Sequence, residues 1–135
     1  MTLKFYRCRS CGQIVSVVKD TKLPIVCCGA EMEEIKAGTV DAMPEKHVPI
    51  YEKKGNLVMV TVGIQEHPMT PDHYIEWIVL QTKFGNQWKC MVPGDKPQAC
   101  FAICEGDEVE AVYAYCNLHS LWKTNTKNCE KCSTK

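Results

Sequence analysis

Four histidines and one isolated cysteine are the residues of this sequence whose types and contexts best suit a reactive metal. His47, His67, His73 and His119 are its whole supply of imidazole, and Cys116 stands three residues before the last of them in Tyr115-Cys116-Asn117-Leu118-His119. Imidazole is a preferred ligand for iron, copper, nickel and zinc, whereas a structural zinc site normally closes at four ligands. Five donors with a vacancy permit inner-sphere chemistry, so the set points to a catalytic iron site of four imidazoles and one thiolate. Glu45 and Lys46 stand immediately before His47. Each piece alone has a plainer reading. A Cys-x-x-His pair arises easily by chance, His67-Pro68-Met69 suits a simple turn, and Met69 reads as packing. The weight lies in their occurring together.

A second candidate centre lies near the amino terminus, where Cys8-x-x-Cys11 and the adjacent pair Cys27-Cys28 fall within 30 residues. Ten cysteines in 135 residues would suggest a disulfide scaffold in an exported protein. Met1-Thr2-Leu3-Lys4-Phe5-Tyr6-Arg7-Cys8 has no apolar core of signal-peptide length, so the count points to metal ligands and a cytoplasmic protein. Four thiolates in a tetrahedron suit zinc or a single iron, and geometry alone does not choose. The second pair has no spacer, which predicts a distorted tetrahedron. Gly12 and Gly29 each follow a cysteine pair, where glycine lets the backbone turn tightly and aim amides at sulfur. Too few large apolar side chains occur here to build a core unaided, so a metal supplies the missing stability.

These ligands need a scaffold. The chain has room for one ordinary domain, or for a very small metal-stabilised domain followed by one of about a hundred residues, and the second arrangement fits better. Residues 1–36 read as two short strands, around Lys4 to Tyr6 and Ile14 to Val18, separated by the cysteine knuckle. A polar link with glycine and proline, Ala37 to Glu45, marks the boundary. Beyond it, strand character appears over Val48 to Glu52, Leu57 to Val62, Tyr74 to Thr82, Gln87 to Val92, Ala99 to Cys104 and Glu108 to Tyr115. Lys54-Gly55-Asn56, Gly85-Asn86, Pro93-Gly94-Asp95 and Glu105-Gly106-Asp107 supply the turns. Alternation of Val109, Ala111, Tyr113 and Tyr115 against Glu108 and Glu110 is the half-buried antiparallel pattern. Six or seven such strands in about ninety residues predict an immunoglobulin-like sandwich over 37–126, with a polar tail over 127–135 and no helix of ordinary length. A 45% apolar, 24% charged composition with zero net charge gives no footprint for nucleic acid, and no run approaches the ~18 apolar residues of a membrane span.

Taken in order, Cys8-Arg9-Ser10-Cys11-Gly12, Val26-Cys27-Cys28-Gly29, Glu45-Lys46-His47-Val48-Pro49, His67-Pro68-Met69, His73-Tyr74-Ile75-Glu76-Trp77-Ile78 and Tyr115-Cys116-Asn117-Leu118-His119-Ser120-Leu121-Trp122 resemble desulfoferrodoxin, the two-iron class of superoxide reductase. The resemblance runs from about residue 4 to residue 123. It implies an all-β protein, with a desulforedoxin-type domain holding a rubredoxin-like iron on Cys8, Cys11, Cys27 and Cys28, then an immunoglobulin-like catalytic domain. In the latter, His47, His67, His73 and His119 match equatorial iron ligands and Cys116 the axial thiolate. Glu45 matches the glutamate that occupies the sixth position of the oxidised resting state, and Lys46 the catalytic lysine. The implied reaction is one-electron reduction of superoxide to hydrogen peroxide at ferrous iron, without release of oxygen. Rubredoxin or a similar small carrier is the implied electron donor, the first centre an optional relay, and a homodimer the implied assembly.

Five cysteines lie outside both sites. Cys90, Cys100 and Cys104 read as small buried apolar residues within strands. Cys129-x-x-Cys132 in the tail departs from the family pattern. Ser120 stands where many relatives carry glycine, a change expected to matter little. Two other function classes remain for the residues themselves. A pure electron carrier would need no vacancy at the second metal, and a metal-stabilised binding module would hold zinc in both sites.

Overall fold

Short strands broken by glycine- and proline-bearing turns suit antiparallel pairing, and the computed structural model describes that pairing over residues 3–124. It separates into two compact units, Met1–Lys36 and Ala37–Lys135. Cys129 and Cys132 lie outside the described residues, as does the expected tail over 127–135.

The first unit has five short strands, not two: β1 (Phe5–Arg7), β2 (Ile14–Ser16), β3 (Val26–Cys27), β4 (Ala30–Glu31) and β5 (Glu33–Ile35). β1 lies between β2 and β5, with Phe5 opposite both Ser16 and Ile35, while β3 and β4 form a separate ribbon. The extra strands are two or three residues long, β3 and β4 joined by the Cys28-Gly29 turn and β5 paired with β1, too short for any periodicity to register. Phe5, Cys8, Met32 and Ile35 are its buried apolar side chains, a core small enough to leave a metal with stabilising work to do.

The second unit is a two-sheet antiparallel sandwich. One sheet holds β6 (Pro49–Lys54), β7 (Leu57–Val62) and β10 (Gln98–Ala102) in the order β10-β7-β6. The other holds β8 (Ile75–Thr82), β9 (Gly85–Cys90), β11 (Val109–Cys116) and β12 (Ser120–Lys123) in the order β12-β11-β8-β9. Val58, Val60 and Val62 of β7 meet Ile75, Ile78 and Leu80 of β8, Ala99 and Phe101 of β10, and Val112, Ala114 and Cys116 of β11 in one core. Alternate residues of β7, β10 and the end of β11 face inward, as the pleat requires, while in β8 an irregularity separates Ile75 from Ile78. The predicted thiolate thus ends a core strand.

Several local expectations are corrected. The end of the link is a single helical turn, α1 (Pro44–His47), started by proline at its first position, and Gly38 N–H donates to Leu121 O at 2.8 Å. In β11 alternation stops after Glu110, and everything from Ala111 to Cys116 is buried. A register shift between Val109 and Ala111 moves the core face onto Val112, Ala114 and Cys116, while β12 and β8 flank the strand on both sides. The β8–β9 turn is Lys83-Phe84 and not Gly85-Asn86, because Thr82 pairs with Gly85. Asp107 satisfies that turn, accepting from Phe84 N–H at 3.1 Å and from Thr82 Oγ1 at 2.8 Å. Cys90 and Cys104 are exposed and Cys100 half-buried. Cys90 lies on an edge strand with no covering layer, Cys100 faces out beside Met59, and β10 ends before Cys104. Past the end of β12, Thr124 is tied back to β11: its hydroxyl donates to Val112 O and accepts from Val112 N–H, both at 2.8 Å.

Candidate metal centres

Three segments of the second unit bring the predicted second cluster together. α1 carries His47, the connection between β7 and β8 carries His67 and His73, and the end of β11 with the turn that follows it carries Cys116 and His119. Asn117 staples two of them, donating from its amide to Asp72 O at 3.0 Å and accepting Tyr74 N–H at 2.9 Å, on either side of His73. Ser120 closes the β11–β12 turn with φ +64, in the left-handed region where a side chain is strained and glycine is not. The substitution expected to be innocuous therefore falls where the backbone favours glycine.

The four rings form a closed circuit. Neighbouring centroids lie 4.6 Å apart for His47–His67, 4.7 Å for His67–His73, 5.0 Å for His73–His119 and 4.8 Å for His119–His47. His47 and His73, across the circuit, are 6.2 Å apart. Each neighbouring pair meets edge to face, at 75° to 89°. Donor atoms of His47, His67, His73 and Cys116 all lie within 4.8 Å of one another, and Cys116 Sγ is 3.8 Å from His119 Nδ1. A sulfur that near to every corner lies over the circuit and not beside it. The structure thus brings together all five expected ligands.

Hydrogen bonding fixes which nitrogens face inward. His47 Nδ1 donates to Met43 O at 2.8 Å, and His67 Nδ1 to Pro68 O at 2.7 Å. A proton held on Nδ1 leaves a lone pair on Nε2. The Nε2 atoms of His67 and His73 are buried without a hydrogen-bond partner, a costly state that metal coordination would relieve. His47 Nε2 and His119 Nδ1 are 3.0 Å apart, and two nitrogens held at right angles about 2.1 Å from one metal ion would be about 3.0 Å apart. Burial pushes the His47, His67 and His73 imidazoles down, His67 to about 4. The neighbouring rings add repulsion to all three, and the Lys46 charge adds to it at His47 and His73. Neutral rings with inward lone pairs are what a metal requires. Burial also pushes the Cys116 thiol up, opposed by backbone N–H groups of Leu118 and His119 aimed at its sulfur, with the Glu76 charge adding to the rise. These residues fit an iron ion.

Trp122 was not singled out for a role at the sequence level. Its ring lies 4.9 Å from that of His47, and its indole N–H donates to His119 O at 2.9 Å, so one side chain orients two ligands. No spacing rule would have found it. Met69 packs against the core and its sulfur accepts Ile75 N–H at 3.4 Å, which bears out the packing reading. Glu45 and Lys46 are half-buried on α1.

In the first unit, the sulfurs of Cys8, Cys11, Cys27 and Cys28 lie within 4.8 Å of one another. Cys11 and Cys27 are 3.7 Å apart and Cys27 and Cys28 3.9 Å. A regular tetrahedron with metal–sulfur bonds near 2.3 Å has edges of about 3.8 Å. Those two edges fit that figure, and Cys28 takes φ +53 so that adjacent side chains face one point. Backbone N–H groups of Cys11 and then Ser10 point at Cys8 sulfur and hold its thiol down at about 6. Thiol neighbours, Cys8 foremost, push Cys27 up to about 12. A thiol held low, as that of Cys8 is, is readied to bind a metal as its thiolate. Cys11 and Cys28 are exposed.

The chain matches the family model described as desulfoferrodoxin over residues 39–125, and that of the desulfoferrodoxin N-terminal domain over residues 1–35. The chain belongs to the desulfoferrodoxin family. It is 43% identical over 122 residues to the desulfoferrodoxin of Syntrophotalea carbinolica, covering 90% of this chain and 95% of that protein. To the desulfoferrodoxin of Nitratidesulfovibrio vulgaris it is 46% identical over 120 residues, 89% and 94% of the two chains. The crystal structure of the superoxide reductase from Treponema pallidum superposes with a TM-score of 0.79 at 34% identity, covering 93% of this chain and all of that one. The two desulfoferrodoxin models together span both clusters described above.

Proposed function

We propose that this chain is a superoxide reductase whose reaction runs at the histidine–cysteine cluster, with His47, His67, His73, His119 and Cys116 as ligands of one iron and Cys8, Cys11, Cys27 and Cys28 as ligands of another. The observation that carries this reading is the closed circuit of four imidazole rings with a thiol sulfur over it, in a chain of the desulfoferrodoxin family. The reaction consumes one superoxide, one electron and two protons, and yields one hydrogen peroxide. Iron at the second cluster supplies an open position for the anion and the reducing electron.

The residues of the chain do the rest. Lys46 presents a positive charge that raises the local concentration of superoxide and stabilises negative charge on the reduced product, in a salt-dependent way. Neutral imidazoles would keep the ferrous state of a bound iron accessible, and the Cys116 thiolate would donate electron density to it. The N–H groups of Leu118 and His119 hold that thiolate in place. Protons come from water ordered by Lys46, since all four histidines are committed as ligands and Lys46 would lose its useful charge by donating. Glu45, two residues before His47, would be the carboxylate able to bind oxidised iron and so help product leave.

The domain reading follows the same division. Residues 1–36 act as a desulforedoxin-like iron domain, 37–126 as the catalytic domain, and 127–135 as a tail. The electron comes from rubredoxin or a similar small carrier, with the exposed Cys11 and Cys28 side of the first centre as an optional relay. A homodimer follows from the family resemblance. A cytoplasmic location is supported by eight described cysteines that are all free thiols, and no described helix is long and apolar enough to cross a membrane.

The test is metal analysis with a visible spectrum, followed by a superoxide pulse delivered to the reduced protein. The reading expects two irons per chain, separate thiolate bands from the two centres, and superoxide decay in proportion to protein concentration. Zinc in both sites, or iron at the second site with no reaction, would contradict it.

A further inference from the structure

We infer that Gly63 is a positioning residue that seats the Lys46–His47 peptide, and through it sets where Glu45 and Lys46 stand relative to the imidazole circuit. The inference rests on the superoxide reductase reading for its kinetic consequence and on geometry alone for its structural one. α1 is a single turn of four residues, far too short to hold its own shape in water. Something outside it must fix it. The chain leaving β7 does so: Gly63 N–H donates to Val48 O at 3.1 Å and Gln65 N–H to Glu45 O at 3.0 Å, bracketing Lys46 and His47 from both sides.

The fit between the two segments leaves no room for a side chain. Gly63 has φ +85. A Cβ built there would lie 2.6 Å from Lys46 O, 2.8 Å from Lys46 C and 2.4 Å from Gln65 O. All three are backbone atoms, which cannot rotate away as a side-chain tip would. The other glycines with left-handed φ, Gly55 among them, have nothing within 4 Å of that position. Gly63 is therefore required by close approach and not only by its dihedral, and the carbonyl it approaches belongs to the peptide joining Lys46 to His47. Any larger residue must push that peptide, or open the 63–65 turn that carries the Gln65 bond. Either change moves the half-buried Lys46 and Glu45 while leaving the core seat of Cys116 untouched.

The experiment compares Gly63→Ala with Gly55→Ala in the iron-loaded full chain. Gly55→Ala places a side chain at another left-handed φ, +57, in a hairpin turn without the clash, so it controls for the general cost of replacing such a glycine. Three quantities are read: the rate of the reduced protein with superoxide over a salt series, the Cys116 thiolate band with iron content, and single-residue amide exchange at Lys46, Val48, Gly63 and Gln65. Gly63→Ala is expected to lower the encounter rate by about tenfold or more, since misplacements near 1 Å cost up to about a hundredfold. It should also flatten the salt slope and speed exchange at Gln65, with the thiolate band retained. Gly55→Ala should match the unaltered protein in all three.

Equal rates, salt slopes and Gln65 exchange in the two variants would overturn the inference. If Gly63→Ala fails to fold or to load iron, exchange in the unaltered protein decides. Gln65 and Val48 amides that open together support a single seated unit, and a Gln65 amide exchanging at the free-peptide rate overturns it. An unaltered protein that ignores superoxide would refute the function while leaving the exchange result to judge Gly63.

Discussion

Replacing His67 with leucine should move the metal-free and iron-loaded proteins in opposite directions. His67 is 1% exposed, its Nε2 lacks a partner, and its Nδ1 donates to Pro68 O. Without metal, leucine removes a buried unsatisfied nitrogen worth about 1–3 kcal/mol and forfeits a hydrogen bond worth about 0.5–1.5 kcal/mol, a net gain of about 1 kcal/mol at pH 7. Acid enlarges the difference. The imidazole is held down at about 4 in the folded chain, against about 6.5 when unfolded. Between those values the unfolded chain binds the extra proton, so stability falls as pH drops from about 6.5 towards 4. At pH 5 the gap is about 1.5 units, or about 2 kcal/mol, and leucine escapes it. The metal-free variant should then be about 3 kcal/mol more stable than the unaltered protein at pH 5, roughly 12–24 °C in Tm for a unit of this size. With iron the sign reverses, because one of five ligands is lost. Tryptophan fluorescence melts suit the assay, since Trp77, Trp88 and Trp122 all lie in the second unit. If the variant were less stable in both forms, with an unchanged pH slope, His67 would be an ordinary core histidine.

Cys116→Ser should abolish the thiolate band of the second centre and superoxide reduction while the first centre survives, and an active variant retaining that band would contradict the assignment. Cys11→Ser should remove or alter the first centre and leave the reaction of pre-reduced protein with superoxide intact, because the two ligand sets occupy separate units; loss of that reaction with the second iron still bound would show that the first centre is more than a relay. Lys46→Met should slow the encounter with superoxide more than it disturbs iron binding, with an effect that shrinks with salt because the Debye length at about 0.15 M is only about 8 Å. Glu45→Ala should leave the encounter rate unchanged and alter the ferric resting spectrum, and equal salt slopes for the unaltered and Lys46→Met proteins would make Lys46 an ordinary surface charge.

Residue type and order carried the two metal clusters, because few side chains bind metals and each had a recognisable neighbourhood. The sandwich was legible from turn chemistry and from runs such as Leu57 to Val62, where inward valines alternate with exposed Leu57 and Met59. Reading failed where long-range contact decides. The core face of β11 follows from a register shift against β8, which alternation around Glu110 could not reveal. The Lys83-Phe84 turn forms because Asp107, distant in sequence, accepts its N–H. β12 was missed since it begins at a left-handed serine and is only four residues long. The tie between α1 and Gly63 depends on an approach between backbones that no single-residue pattern encodes. The pairing of Trp122 with both His47 and His119 is similarly tertiary.

The most direct measurement is the product balance when fully reduced protein receives a known dose of superoxide, with peroxide and dissolved oxygen followed together. The account predicts one hydrogen peroxide formed per superoxide consumed at the second centre, with no oxygen evolved by that reaction. Evolution of one oxygen for every two superoxide ions would mark dismutation and contradict it.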